Sequence, residues 1–225
     1  MSVAFKASRA ELSFQADFAE PVFHLFRDSP ALHRSVFARL AKHGLRLSDM
    51  RPERGNGTLG DAHLVCSLLN SAVTLLLRPE RAEIHCFDVM RLDGRNLGQV
   101  GVDFLEAIRA HAPEVPFKTY SSALALHGLL DGIRSQEFIA KFVTGAPGGL
   151  GPPLGSGAVF YYGVTADRVM SSVTVDLSAV LHDGLFLRIY AMWDGQRIAV
   201  EALPGIADEH VRDVMREFGL SFGDR

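Results

Sequence analysis

A chain of 225 residues, 48% of them hydrophobic, has enough apolar material for one large core or two small ones. Its formal net charge of −3 gives no basic footprint of the kind nucleic-acid binding depends on. No apolar run approaches the roughly 18 residues of a membrane-spanning helix. The N-terminal residues lack the apolar core of a signal peptide, so a cytoplasmic location is expected. Mean hydropathy is +0.13, high enough to leave room for a buried subunit interface.

In chain order, residues 11–18 alternate, with Leu12, Phe14, Ala16 and Phe18 on one side, and predict the first strand. A helix follows. Ser29 suits its cap, Pro30 its first position, and Gly44 the residue past its end, while Leu32, Val36, Phe37 and Leu40 form its apolar stripe. Residues 51–57 predict a polar loop, and 63–89 two or three strands. Residues 72–77 are apolar at consecutive positions, as in a strand covered on both faces. Asn96 caps the next predicted helix, which runs to about His111 and turns Leu97, Phe104, Leu105 and Ile108 inward. Residues 120–130 predict a strand and 135–143 a short amphipathic helix.

The segment 145–157, rich in glycine and proline, supports no regular element. Beyond it, Phe160, Tyr161 and Tyr162 fit a central strand, and residues 168–203 predict a three-stranded meander turned at Asp183-Gly184 and Asp194-Gly195. A helix over 208–218 closes the chain. This order predicts an α+β fold: a largely antiparallel sheet with amphipathic helices on one face and two topologically similar halves. The expected parts are 1–145, a connector at 146–157, and 158–225, together one compact domain.

The layout carried by residues 11–18, 121–133, 173–177 and 209–218 resembles a sporadically distributed family of uncharacterised bacterial α+β proteins. That resemblance covers most of the chain, contains no invariant chemical motif and implies no activity.

Chemical motifs are sparse. Cys66 and Cys86 form neither a CxxC pair nor a disulfide framework, and reduced core thiols are expected. The nine histidines include no HExxH or HxH. His33 and His43 lie too far apart on one helix to share a metal, and His85 and Cys86 leave opposite faces of a strand. Residues Asp208, Glu209 and His210 fit a helix start, where acidic groups favour the positive dipole end. Gly155-Ser156-Gly157 has no adjacent lysine, as a phosphate-binding loop would require, and Gly149 and Gly151 lead into Pro152-Pro153 instead of a helix. No catalytic, cofactor-binding or metal residue is therefore assigned, no cofactor is expected, and catalysis is less favoured than binding.

The strand 185–193 is apolar on both sides. Its Phe186, Arg188, Tyr190 and Met192, joined by Tyr161 and Tyr162, form the candidate interaction surface, being residue types in which interfaces concentrate their energy. The expected function is non-catalytic binding or assembly, as a homo-oligomer or a subunit of a bacterial complex. The alternative is a small-molecule binder or hydrolase with an apolar pocket between sheet and helices, to which His85, Arg188 or Tyr190 would contribute.

Overall fold

Two long antiparallel strands, β1 (Val3–Phe18) and β6 (Phe117–Leu130), form the middle of the molecule. The structure is a computed structural model describing residues 2–27, 29–53, 62–92, 94–143, 155–165 and 167–223. On one side of this pair lie β5 (Arg81–Cys86), β4 (Val73–Leu77), β3 (His63–Leu68) and β2 (Met50–Glu53). On the other lie β9 (Leu185–Asp194), β8 (Arg168–Leu177) and β7 (Ala158–Tyr162). All these neighbours are antiparallel, and β10 (Leu220–Phe222) pairs parallel with the first residues of β1. The result is an α+β fold built on one open, ten-stranded sheet. Pairing of β6 with β9, from Thr119↔Asp194 to Gly128↔Leu185, carries the sheet across residues that precede and follow the Gly/Pro-rich segment. Most of that segment, 145–154, lies outside the described residues.

The helices are α1 (His24–Arg27), α2 (Ser29–Leu40), α3 (Gly94–Arg109), α4 (Ser135–Ala140) and α5 (Leu203–Glu217). They cover a single face. Leu32, Val36 and Phe104 join Leu75, Ile84 and Ala16 in one apolar cluster, while Phe138, Val214 and Met215 join Leu126, Val173 and Leu187 in a second. Alternation along each strand sends the other residues to the open face, as a one-sided sheet requires. There β4 departs from expectation: Val73, Leu75 and Leu77 are buried, but Thr74 and Leu76 are only partly covered.

Several boundaries also differ from the sequence reading. Strand β1 begins at Val3, because a bulge between Ala7 and Arg9 shifts its phase and hides the earlier alternation. Residues 51–53 belong to β2, paired with β3, and are not loop. Helix α3 starts at Gly94, ahead of Asn96, and α4 ends at Ala140. After β9 the chain does not return as a strand. Val200–Ala202 is a 3-10 turn that leads straight into α5, placing Asp208 and His210 inside that helix. Gly195 serves close approach at this corner, since a Cβ there would lie 2.6 Å from the Phe117 carbonyl oxygen. Residues 160–162 lie in β7, the outermost strand of its side.

One ion cluster fastens α3 to the end of α2. His43 Nε2 and Lys42 Nζ donate to Asp103 Oδ2 at 2.6 and 2.8 Å, and Gln99 Nε2 donates to Oδ1 at 3.3 Å. Burial alone would raise the Asp103 carboxyl, but these hydrogen bonds outweigh it and hold the group below the usual carboxylate range. A depressed pKa stabilises the fold above the unfolded-state pKa, and that contribution is lost as pH falls through the folded value. Asp103→Asn is therefore expected to cost about 1–2 kcal/mol at pH 7. In urea titrations at a series of pH values the deficit should vanish in acid, below the carboxylate range.

Candidate binding site

Over the centre of the sheet the helical layer does not close. Leu12 and Phe14 of β1 and Leu124 of β6 face the helices yet are only half-buried, whereas Ala16, Tyr120 and Leu126 on the same strands are fully covered. The space above them is a cleft of about 680 Å³ along the seam between the two apolar clusters. That size lies inside the roughly 300–1,000 Å³ range of small-molecule sites. Its floor is β1, β6 and Ile84 of β5. One wall is α3 through Leu97, Gly98, Gly101 and Leu105, and the other is α5 through Leu203, Pro204, Ala207 and Val211.

Two glycines three residues apart explain the shape of the α3 wall. Inside a helix each costs about 1 kcal/mol relative to alanine, and both face α5 or the sheet. A Cβ at Gly98 would come within 2.9 Å of Pro204 Cβ, so glycine lets the first turns of the two helices touch. A Cβ at Gly101 would meet Ile84 Cδ1 at 3.1 Å, so its absence keeps the cleft deep.

Electrostatically the cleft is neutral. Lys6 and Asp208 are its charged lining residues. Each is ion-paired elsewhere, Lys6 with Asp131 at 3.7 Å and Asp208 with Arg212 at 2.8 Å, and these side chains are well exposed. Ser8 and Ser122 supply hydroxyls. Among the described lining residues there is no histidine or cysteine.

The residues singled out from the sequence lie elsewhere. Phe186, Arg188, Tyr190 and Met192 occupy the open face of β9, and Tyr161 the open face of β7. Tyr162 pairs with the buried Ser171 and so faces the helical side. His85 is also on the open face, where its Nε2 lies 3.0 Å from Glu83 Oε2. Neither His85, Arg188 nor Tyr190 lines the cleft. Within the open face His85 (β5) and Tyr190 (β9) stand three strands apart, about 14 Å at 4.8 Å per strand, and do not converge.

Both cysteines are free and buried on the helical side. Burial pushes the Cys66 thiol up to about 12 and raises Cys86 as well, so neither supplies a thiolate near neutral pH. His43 belongs to the Asp103 cluster, and burial lowers His33 on α2. Among the described residues no three His, Cys, Asp or Glu side chains are grouped to hold a metal ion, and no helix is long and apolar enough to cross a membrane. The chain matches no known protein family, and none of the curated proteins compared with it is similar.

Proposed function

We propose that this protein works by binding, and that its site is the cleft between α3, α5 and the central strands. Its ligand is a small, uncharged, mainly apolar molecule. One observation carries this reading: Leu12, Phe14 and Leu124 stay partly exposed at the middle of a sheet whose flanks are tightly covered. Leaving three large apolar side chains short of full burial forgoes up to about 1 kcal/mol each. A bound apolar molecule recovers that free energy. The ion-paired Lys6 and Asp208 favour an uncharged ligand, and a described lining without histidine or cysteine supports binding over turnover.

Titration with N-phenyl-1-naphthylamine, a neutral apolar fluorophore, tests this. Saturable binding at one site is expected. Ala207→Phe on the α5 wall and Leu124→Phe on the floor should each weaken it at least about tenfold, or 1.4 kcal/mol, with circular dichroism unchanged. Unsaturable binding, or affinity unaltered in both folded variants, contradicts the proposal. Native mass spectrometry of gently purified protein should show a small added mass if the natural ligand is retained.

A further inference from the structure

The two ends of the sheet are built differently. At one end, β2 carries Arg51, Pro52 and Glu53 in a four-residue strand, and charge, proline and brevity all discourage further strand pairing. At the other, β7 reads Ala-Val-Phe-Tyr-Tyr, with neither charge nor proline. Val159, Tyr161 and Tyr162 are 48%, 76% and 41% exposed, and among the described residues no strand lies beyond them. Phe160 is anchored inward, its ring 5.7 Å from Phe142 and 5.3 Å from Phe218, so the strand is held in place from behind. An anchored, uncharged, apolar edge is what a sheet presents when another strand is to be added.

We propose that β7 pairs antiparallel with β7 of a second copy of this chain about a two-fold axis at Phe160, joining the two sheets into one. The strand's own sequence selects that partner and that register. An axis at Phe160 engages all five residues: Val159 stands opposite Tyr161 of the partner subunit, and Ala158 opposite Tyr162 of the partner subunit. Each tyrosine thus meets a smaller residue. The Val–Tyr pairs on the open face are of the β-branched–aromatic type that stabilises sheets, and no like charges meet. This axis sets Phe160 opposite Phe160 of the partner subunit, whereas centring it on Tyr161 leaves both Ala158 and Val159 without a partner in the strand. Centring it on Val159 leaves Tyr161 and Tyr162 without one. The arrangement is isologous, so it closes at a dimer and does not propagate into fibres. On the open face the new seam continues the row Tyr190, Ser172, Tyr161 into Val159, Thr174 and Arg188 of the partner subunit.

Sedimentation velocity and cysteine cross-linking test the surface and its register. Wild-type protein should sediment as a dimer at concentrations of tens of micromolar. The Val159→Lys, Tyr161→Lys double variant sets lysine against lysine in both open-face pairs and should be monomeric, while Arg51→Ala on the opposite edge should leave the dimer intact. After oxidation, the Val159→Cys, Tyr161→Cys double variant should give a covalent dimer on a non-reducing gel. Val159→Cys alone should not, because equivalent 159 positions lie about 8 Å apart on the diagonal, beyond disulfide reach. The buried Cys66 and Cys86 do not compete. A wild-type monomer, a dimer indifferent to the two lysines, or cross-linking by the single cysteine variant would each overturn the proposal. None of these outcomes bears on fluorophore binding in the cleft.

Discussion

Phe104→Ala is expected to destabilise the protein by about 3–5 kcal/mol, whereas Leu124→Ala should cost only about 1 kcal/mol. Both side chains are large, apolar and on the helical side of the sheet. Phe104, on α3, is fully buried within the cluster that joins α2 and α3 to the sheet, so its removal leaves a cavity its neighbours cannot refill. Leu124 borders the cleft, where one side of the residue already has no packing partner. Urea unfolding of the two variants measures the difference. Fluorophore affinity should show the reverse order, falling for Leu124→Ala and holding for Phe104→Ala under conditions where that variant is folded. Equal destabilisation would mean that the central strands are packed core and that the cleft is closed in solution.

The second large effect belongs to His210. This α5 residue is 8% exposed, its Nδ1 accepts a hydrogen bond from Arg168 Nη1 at 2.8 Å, and its ring lies edge-on to Trp193. Burial, reinforced by the adjacent Arg168 charge, lowers its pKa from the ordinary 6.5 to about 4. The unfolded chain therefore binds this proton near pH 6.5 and the native protein only near pH 4. Native stability is complete above pH 6.5 and falls between those values by up to about 3 kcal/mol, at 1.36 kcal/mol per pH unit, then levels off. Asp103, with its depressed carboxyl, responds at lower pH, while His33 and His127, which burial also lowers, add to the slope in the same direction, so the His210 share is the difference between wild type and a His210 variant from about pH 4.5 to 6.5. His210→Gln keeps an acceptor for Arg168 but has no titration, and it should reduce the slope of the stability profile there. Identical wild-type and variant slopes would show that His210 is protonated in the native state.

How much of this was legible in the sequence depended on whether the signal was local. Alternation along β8 and β9, the Ser29-Pro30 start of α2 and the left-handed Gly44 are local and readable, although Ser29 lies inside the helix and Gly44 ends the 3-10 turn 41–43 that follows it. The beginning of β1 was not, since one extra residue at the bulge puts Phe5 out of phase with Leu12 and Phe14. Residues 197–203 read as a strand because Ile198, Val200 and Leu203 are apolar. They are buried, but as the turn that feeds α5 under the sheet. The two apolar sides of β9 imply cover on both, whereas the helices cover only one of them. The cleft itself is a product of tertiary packing. Its single local trace is the Gly98, Gly101 pair on an otherwise amphipathic helix, a choice that only close helix contact and an unfilled space explain. The central position expected for β7 failed for a related reason, because apolar residues serve equally in a central strand and in an edge that takes a partner.

The most direct measurement is a methyl NMR titration of selectively labelled Ile, Leu and Val groups with N-phenyl-1-naphthylamine. The account predicts saturable shifts at Leu12, Ile84, Val102 and Leu124, with Leu32, Leu75 and Val175 unmoved in the packed core. Shifts confined to the open-face Val65 and Leu76, or no saturable shift at any of the cleft methyls, would contradict it.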